Sequence, residues 1–512
     1  MNLKTLFYTG ILAFTIASCG KDDDSTPVTT PEPENQSPTV SFVSPSSSGT
    51  LWNSVTVELN ADDSDGIVAK VEFFVNGAKQ SELTAAPFSF DWDSKGVEDG
   101  DVELKATVTD DEGAKTTESI TVNVLNLLLD YDLYDGYLNG DNNVVNFTYI
   151  TSPAPDKDIL YIAEITGGSF AEKVQRPADF DGETFDVHIL EFIDGDMDEG
   201  EITTFHGVTP GIFHPVPPTP TTFGSEVGEA NVTFTNVPDH EYSLIFSSGN
   251  TNPIAEGTER SLTIYENFDL GYVYLRDGDV GRYLAVPFGA GNHDILLDDM
   301  NTSMQAQTFT DSGVNATASL LVQGHTGQGR FSPAATVYRE NVALGGNAFE
   351  TSFHIPIDAV FDHYYTNARL QEGGRTFVHE AYNEVLSSMT KMDATFAADN
   401  KMMSELNITA SSADDFDFLN MTSQIAASDT FTFRWNSYSP DDNVSFPPIP
   451  TEVFNATNGV FNASDIAFKP ANITFLIEDR DNNNGYDDYR DVRFGRKDDT
   501  DRNERIYVFE IF

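Results

Sequence analysis

Short runs in which apolar and polar residues alternate, each bounded by turn-forming residues, constrain the fold of this chain more than any other feature. Residues 54–59, 102–108 and 119–124 alternate with a period of two, as half-buried β-strands do. Asn76-Gly77 follows another such run, and this dipeptide is the strongest short-range signal for a β-hairpin. Helical periodicity is rare by comparison, so the sequence predicts an all-β chain.

The alternating runs of the N-terminal part fit one small domain, residues 39–126. About seven short strands in a segment of this length predict a Greek-key sandwich of two antiparallel sheets. Trp92 lies within an alternating run, so we expect it in the core between the sheets.

Four segments of this domain carry a family resemblance. They are Ala-Asp-Asp-Ser-Asp-Gly at 61–66, Val-Glu-Phe-Phe-Val-Asn-Gly at 71–77, Ala-Pro-Phe-Ser-Phe-Asp-Trp at 86–92 and Ala-Thr-Val-Thr-Asp at 106–110. In order and spacing they resemble the bacterial immunoglobulin-like domains found in tandem in secreted and surface proteins. The resemblance implies a spacer or a binding module, and it carries over no catalytic residue.

The single cysteine of the chain, Cys19, follows an N-terminal segment built like a secretory signal. Lys4 precedes an apolar run over residues 6–16, and small residues lead up to the cysteine. The run is about half as long as the ~20 residues that a membrane span requires. The pattern resembles a lipoprotein signal peptide over residues 1–18, which implies cleavage before Cys19 and a lipid on that cysteine.

The residues after Cys19 carry a second resemblance. Lys-Asp-Asp-Asp at 21–24 is similar to the surface-export signal of Bacteroidota lipoproteins. This implies a protein that is anchored in the outer membrane by its lipid and faces the cell exterior. Residues 19–38 are rich in Asp, Ser, Thr, Pro and Glu and cannot bury apolar surface, so we expect a disordered tether.

A strongly acidic composition limits the partners of the chain. The formal net charge is −54 at pH 7, and removal of Lys4 with the signal leaves −55. Binding to nucleic acid requires a basic surface, so nucleic acid is not an expected partner. A single cysteine that carries lipid leaves neither a disulfide nor a cysteine zinc site, so packing must supply the stability, with bound cations as a candidate further source.

Residues 127–512 have strand patterns but no family resemblance. Frequent Phe, Tyr, Val and Thr between Gly, Asn and Asp breaks predict two or three further β-rich, sandwich-like domains. Four strands are predicted at 144–149, 231–235, 430–435 and 506–512. A four-residue spacing of apolar side chains predicts one helix over 376–389. The predicted domains are residues 127–250, residues 251–400 with the helix, and residues 401–512.

Two acidic loops that follow apolar strands are candidate calcium sites. Carboxylates at alternate loop positions can converge on one hard cation, which takes about 6–8 oxygen ligands. The loop 479–491 offers the oxygens of Asp479, Asp481, Asn483, Asp487, Asp488 and Asp491. The loop 194–200 has a similar start but no acid at the matching end. A solvated acidic turn is the alternative interpretation of both segments.

The sequence contains no complete catalytic motif. His379-Glu380 falls one ligand short of the zinc-protease pattern, because Asn383 stands where the second histidine is required. Trp435 is predicted to be packed. We therefore predict non-catalytic binding of a glycan or a protein partner at the cell surface. A polysaccharide hydrolase that uses two carboxylates and a structural subunit of an outer-membrane complex are the alternatives.

Overall fold

The computed structural model describes most of the chain after the N-terminal segment. The described residues are 34–47, 49–138, 145–192, 199–215, 223–245, 254–327, 332–398, 406–412, 418–428, 431–456, 473–480, 486 and 504–511. The chain divides into two compact units, unit 1 over Met1–Val124 and unit 2 over Leu125–Phe512. The division falls close to the predicted end of the immunoglobulin-like domain at residue 126.

Unit 1 is a two-sheet sandwich. Its strands are β1 (Thr39–Ser44), β2 (Thr50–Leu51), β3 (Ser54–Asp62), β4 (Val68–Val75), β5 (Ala78–Leu83), β6 (Phe88–Asp93), β7 (Gly100–Asp110) and β8 (Lys115–Val124), with a 3-10 turn at Ser94–Gly96. One sheet has the order β1-β3-β6 and the other β2-β8-β7-β4-β5. Side chains of both sheets share a core that includes Val57, Phe73 and Trp92, which confirms the position predicted for Trp92.

The turn at Asn76-Gly77 shows how local sequence sets strand pairing in unit 1. Both residues have positive φ, 44° and 78°, as a two-residue type I′ turn requires. Val75 pairs with Ala78 across the turn, so β4 and β5 form the predicted hairpin. The Asn76 side-chain oxygen also accepts a hydrogen bond from the Glu103 backbone N–H at 3.0 Å, which ties the turn to β7.

Unit 2 is also built almost entirely of strands. They are β9 (Leu127–Leu133), β10 (Val145–Thr151), β11 (Ile159–Thr166), β12 (Phe170–Gln175), β13 (Phe185–Phe192), β14 (Glu199–Val208), β15 (Gly211–Phe213), β16 (Glu226–Thr235), β17 (Tyr242–Ile245), β18 (Glu259–Tyr265), β19 (Leu270–Asp277), β20 (Val280–Pro287), β21 (Gly291–Leu296), β22 (Met304–His325), β23 (Ala334–Pro356), β24 (His363–Glu372), β25 (Arg375–Tyr382), β26 (Ala394–Ala398), β27 (Asn407–Ser412), β28 (Phe418–Ser428), β29 (Phe431–Ser439), β30 (Asn443–Ser445), β31 (Ile473–Arg480) and β32 (Glu504–Ile511), with helix α1 (Thr451–Ala456). Within the described residues, no helix is long and apolar enough to cross a membrane. The all-β fold class is confirmed, and the four strands predicted for this region are present as β10, β16, β29 and β32.

The largest sheet of unit 2 has 12 strands, in the order β11-β10-β13-β14-β29-β28-β31-β32-β25-β24-β22-β23. It combines strands from all three predicted segments of residues 127–512. The parallel pairing of β14 with β29, for example, joins the first segment to the last. One sheet therefore runs across the predicted boundaries near 250 and 400, and the division into three domains stays a prediction.

Smaller sheets cover both faces of the large sheet where it is formed by the adjacent strands β10, β13, β14 and β29. On one face, Ile189 and Phe205 share a core with Leu129 of the sheet β12-β9-β15. On the other face, Leu190 and Trp435 share a core with residues of the sheet β26-β27-β30. The neighbours Ile189 and Leu190 thus point into different cores, as alternation along a strand requires.

The helix predicted over 376–389 is wrong, because Arg375–Tyr382 form strand β25. This strand pairs with β24 on one side and β32 on the other. The spacing of four between Phe377 and Ala381 also fits a strand, since four is a multiple of the strand period of two. The β-branched side chains of Thr376 and Val378 favour the extended conformation as well.

Candidate functional site

A cavity of about 230 Å³ lies on one face of the large sheet of unit 2. Its lining comes from β13, β14, β29 and the turn after β9, and consists of Tyr134, Tyr137, Ile189, Glu191, Glu201, Thr203, Asn436 and Tyr438. We call this cavity the Tyr–Glu pocket. It brings aromatic rings, carboxylates, an amide and a hydroxyl together in one concave site.

Strand pairing sets the floor of the Tyr–Glu pocket. Glu191 lies opposite Glu201 in the antiparallel pair of β13 and β14, and Ile189 lies opposite Thr203. Thr203 lies beside Asn436 in the parallel pair of β14 and β29. Residues that pair across neighbouring strands have side chains on the same face of the sheet, so these five side chains project to one side.

Tyr134 and Tyr137 occupy a turn directly after β9 and form one wall of the pocket. The Tyr137 backbone N–H donates to the Tyr134 carbonyl at 2.9 Å, and the Gly136 N–H donates to the Gly168 carbonyl at 3.1 Å. Gly136 has a φ of 86°, which a residue without Cβ adopts at no steric cost. The two half-buried phenol rings lie 5.3 Å apart at an interplanar angle of 90°, so they present ring surface in two directions.

Both charged residues of the pocket lining are glutamates. Glu201 accepts a hydrogen bond from Arg434 Nη1 at 2.8 Å and another from Asn436 Nδ2. Like charges directly opposite each other on paired strands are destabilising, and the contact with Arg434 offsets this for the Glu191–Glu201 pair. The remaining lining residues are neither acidic nor basic.

Tyr438 is the third tyrosine of the lining, and packing holds its ring in place. It stacks on the buried Phe205 of β14 with ring centroids 5.1 Å apart and an interplanar angle of 11°. Its backbone carbonyl accepts a hydrogen bond from the Tyr486 hydroxyl at 3.0 Å. Tyr438 therefore packs against the core of unit 2.

The segment of β29 around Trp435 supplies two of the lining residues, Asn436 and Tyr438. Trp435 is fully buried, and its Nε1–H donates to Thr204 Oγ1 at 3.2 Å, so the prediction that it is packed is confirmed. Arg434, Asn436 and Tyr438 lie on the opposite face of β29, because alternate residues of a strand point to opposite sides. The sequence patterns did not single out these three residues, although the polar and aromatic positions that alternate with Trp435 were the available signal.

Behind the floor, on the other face of β13, lies the buried His188. Its Nε2 is 3.0 Å from Thr151 Oγ1, its Nδ1 is 3.1 Å from Thr204 Oγ1, and its ring stacks on Tyr149 at 4.5 Å. Burial lowers the pKa of His188 from 6.5 to about 3, so the imidazole is neutral at pH 7. Thr204 Oγ1 contacts both His188 and Trp435, which makes the two rings parts of one hydrogen-bonded network.

A carboxylate–imidazole contact lies beside this network. Asp186 Oδ2 is 2.9 Å from His206 Nδ1, and the Gly207 backbone N–H donates to Asp186 Oδ1 at 3.1 Å. Burial raises the pKa of Asp186, but the electrostatic interaction and hydrogen bond with His206, together with the hydrogen bond from the Gly207 backbone N–H, outweigh it and hold the pKa below its ordinary value. Asp186 is thus a buried carboxylate with partners, which is the expected state of a structural group.

Most residues predicted to bind calcium or lipid lie outside the described residues. Asp479 is in β31, where it pairs with Ile506 of β32. Outside the described residues are Asp481, Asn483, Asp487, Asp488, Asp491, Cys19 and residues 194–198 of the first acidic loop. In the part of the chain that the structure describes, no group of three or more His, Cys, Asp or Glu is placed to hold a metal ion. Calcium binding stays a prediction.

His379, the residue of the incomplete zinc-protease pattern, is a core histidine on β25. It is 3% exposed, and its Nδ1 accepts a hydrogen bond from the Thr390 backbone N–H at 3.1 Å. A buried ring with this backbone partner has a structural role, which agrees with the absence of a second histidine from the sequence pattern.

Comparison with known families identifies the first unit. Residues 38–122 match the family model described as a bacterial Ig domain. This match and the two-sheet sandwich confirm the predicted immunoglobulin-like domain. No curated protein matches the chain.

Several solved structures are similar to parts of the chain. The fibronectin(III)-like modules of Clostridium thermocellum CbhA are 25% identical, with 17% of this chain and 96% of that chain covered and a TM-score of 0.16. Carbohydrate-binding modules of the β-sandwich superfamily are 14% identical, with 69% of this chain and 98% of that chain covered and a TM-score of 0.20. A third similar structure is SGBP-B of the Bacteroides ovatus mixed-linkage glucan utilization locus, in complex with a mixed-linkage heptasaccharide. It is 11% identical, with 64% of this chain and 94% of that chain covered and a TM-score of 0.16. These values are too low to assign a function to this chain.

Proposed function

We propose that this chain is a lipid-anchored, surface-displayed glycan-binding protein that holds a sugar unit in the Tyr–Glu pocket. The immunoglobulin-like domain serves as a spacer between the anchor and the binding unit. The observation that carries this proposal is the combination of three tyrosine rings with two carboxylates, an amide and a hydroxyl in one concave site.

The chemistry of a sugar ring matches this lining. A pyranose has an apolar C–H face, which packs on an aromatic ring, and a rim of hydroxyl groups that need hydrogen-bond partners. Tyr134 and Tyr137 offer the ring surfaces, and Glu191, Thr203 and Asn436 offer polar atoms on the floor. The cavity of about 230 Å³ is smaller than the roughly 300–1,000 Å³ of pockets that enclose drug-sized ligands. It therefore suits one sugar unit of a longer chain.

A glycan array with the full-length protein tests this function. Wild type should bind a restricted group of glycans, and Tyr137→Ala should lose at least about tenfold in affinity because it removes one ring face. Tyr382→Ala is the matched control, because Tyr382 is also half-buried and lies on another strand of unit 2. Its ring contacts that of Tyr365, with ring centroids 4.9 Å apart. Failure to bind any glycan, or equal losses in both variants, would contradict the proposal.

The lipid anchor is a separate part of the proposal and rests on the sequence around Cys19. Metabolic labelling with a radioactive or clickable fatty acid should mark the wild-type protein, and Cys19→Ser should abolish the label and release the protein from the membrane fraction. Protease added to intact cells should remove the wild-type protein if it faces the exterior. If the protein is labelled but resists the protease, it carries the lipid anchor but does not face the exterior. That result would overturn the proposed surface display.

A second candidate function, polysaccharide hydrolysis, is favoured by the opposed pair Glu191 and Glu201. Directly opposite residues of an antiparallel pair have Cβ atoms about 4.5–5.5 Å apart. Rotation of the two glutamate side chains can therefore bring their carboxyl groups to the separation of about 5–5.5 Å that retaining glycosidases use. Glu201, beside Arg434, would be the nucleophile and Glu191 the acid. Release of reducing ends from a bound glycan by wild type, abolished in Glu191→Gln, would replace binding with hydrolysis. Binding without release would exclude it.

A further inference from the structure

We propose that His325 and His363 form a binding site for a divalent transition-metal ion that prefers imidazole ligands, such as Cu²⁺, Ni²⁺ or Zn²⁺. The site lies on the paired strands β22 and β24 of the large sheet and shares no lining residue with the Tyr–Glu pocket. Three observations lead to it: the pairing of the two histidines, the position of the proton on one ring and the freedom of the other ring to turn.

Strand pairing places the two histidines side by side. His325 ends β22 and His363 begins β24, and the two residues lie directly opposite each other in this antiparallel pair. Their rings are stacked, with centroids 4.5 Å apart and an interplanar angle of 11°. A metal ion binds each imidazole nitrogen at about 2.0–2.1 Å, so two nitrogens on one ion lie about 3 Å apart. The two rings are therefore within a small movement of the spacing that a shared ion requires.

The ring of His325 presents the lone pair of its Nε2. Its Nδ1 is 2.9 Å from the Ser332 backbone carbonyl oxygen. A carbonyl oxygen only accepts hydrogen bonds, so Nδ1 carries the proton and Nε2 keeps its lone pair. Among the described residues Nε2 has no hydrogen-bond partner, and it remains open to solvent. Histidine ligands of metals commonly donate their other N–H to a backbone carbonyl in this way, which fixes the tautomer and the orientation of the ring.

The ring of His363 is free to complete the site. It is half-buried and makes no hydrogen bond with any residue that the structure describes. Stacked rings direct their lone pairs in parallel, whereas a shared ion requires them to converge. The torsion that joins a histidine ring to Cβ is broad, so the His363 ring can turn out of the stack towards the ion. The Asp362 backbone N–H donates to the His325 carbonyl at 2.7 Å, which holds the two strands together during this turn.

The surroundings of the pair favour a cation that binds nitrogen. The Asp362 carboxylate lies close enough to interact electrostatically with His363, so it also attracts a metal ion there. Imidazole suits Cu²⁺, Ni²⁺ and Zn²⁺, whereas Ca²⁺ and Mg²⁺ prefer oxygen ligands. The described residues hold no group of three or more His, Cys, Asp or Glu around a metal position, so water fills the remaining positions on the ion. Cu²⁺ should bind most tightly, because it stands highest in the Irving–Williams order.

Pulsed electron paramagnetic resonance of Cu²⁺ bound to the full-length protein tests the site, because it counts the imidazoles on the ion. Excess Ca²⁺ in every sample occupies the oxygen-only sites that a chain with 82 acidic residues offers elsewhere. Wild type should bind Cu²⁺ with two imidazoles. His363→Ala should lose the two-imidazole signal and at least about tenfold in Cu²⁺ affinity by titration calorimetry. His293→Ala, which removes a half-buried histidine from β21, should retain both.

The wild-type spectrum is decisive without any substitution, even if His363→Ala fails to fold. Cu²⁺ bound to wild type without imidazole, or with a single imidazole, would overturn the metal site. Equal Cu²⁺ binding by His363→Ala and wild type, or loss of the signal in His293→Ala, would overturn it as well. Glycan binding in the Tyr–Glu pocket involves none of these histidines, so neither result changes the proposed function.

Discussion

The stability of unit 2 should depend on pH through His188. The ring is 1% exposed, and each of its nitrogens faces a threonine hydroxyl. Thr204 Oγ1 accepts a hydrogen bond from Trp435, so its own hydrogen is free to be donated to His188 Nδ1, and Nε2–H then donates to Thr151. This arrangement satisfies a neutral imidazole. A protonated ring would need two acceptors in a site that burial makes unfavourable for charge.

The magnitude follows from the pKa of the folded state. The unfolded chain takes up the proton near pH 6.5, but burial delays protonation of the folded chain to about pH 3. The contribution of neutral His188 to the free energy of unfolding is therefore present above pH 6.5, and it is lost as the pH falls from 6.5 towards 3. The loss is about 1.4 kcal/mol per pH unit, and between pH 7 and 4.5 it amounts to about 2.5 kcal/mol.

Urea unfolding followed by tryptophan fluorescence measures this loss. Trp435 belongs to the His188 network, and the other two tryptophans, Trp52 and Trp92, lie in unit 1. Emission in a Trp52→Phe, Trp92→Phe background therefore reports on unit 2. His188→Gln keeps a donor and an acceptor but cannot be protonated. The difference in unfolding free energy between this background and its His188→Gln variant should change by about 2.5 kcal/mol from pH 7 to pH 4.5. Parallel pH dependences in the two proteins would refute a buried neutral histidine.

Three further perturbations test the fold and the acidic loop. Gly77→Ala should destabilise unit 1 by about 1–2 kcal/mol in urea unfolding, because the type I′ turn requires φ of 78° there; an unchanged stability would argue against this turn. Gly271→Ala should cost about 1–3 kcal/mol, since its Cβ would lie 1.9 Å from the Phe288 ring, whereas Gly289→Ala, with no atom within 4 Å, should cost little. If the loop 479–491 binds calcium, a chelator should lower the melting temperature of wild type but not of Asp481→Asn; equal responses would exclude the site.

The strands could be predicted from the sequence because their signals are local. Asn76-Gly77 and the alternating run before it contain the information for a hairpin within a few residues. Local signals were ambiguous at 376–389, where the spacing between Phe377 and Ala381 satisfies a strand and a helix alike. Pairing of β25 between β24 and β32 decides the conformation there, and that pairing joins residues far apart in the chain.

The Tyr–Glu pocket could not be predicted because its residues meet only through long-range pairing. Arg434 and Glu201 are 233 positions apart and become neighbours through the parallel pair β14–β29. Trp435 is the most conspicuous residue of its segment in the sequence because its side chain is the largest. Alternation along the strand, however, directs this side chain into the core. Its smaller polar neighbour Asn436 lines the pocket instead. The face of β29 that points to the pocket is decided by the register with β14.

Hydrogen–deuterium exchange of the full-length protein with and without its best-binding oligosaccharide tests the location of glycan binding most directly. Bound ligand should slow the exchange of amides in residues 134–138, in β14 and in β29, which form the wall and floor of the Tyr–Glu pocket. The long hairpin of β22 and β23 should exchange at the same rate in both samples. Protection confined to that hairpin or to unit 1, with unchanged exchange around Tyr134, Glu201 and Asn436, would contradict the proposed site.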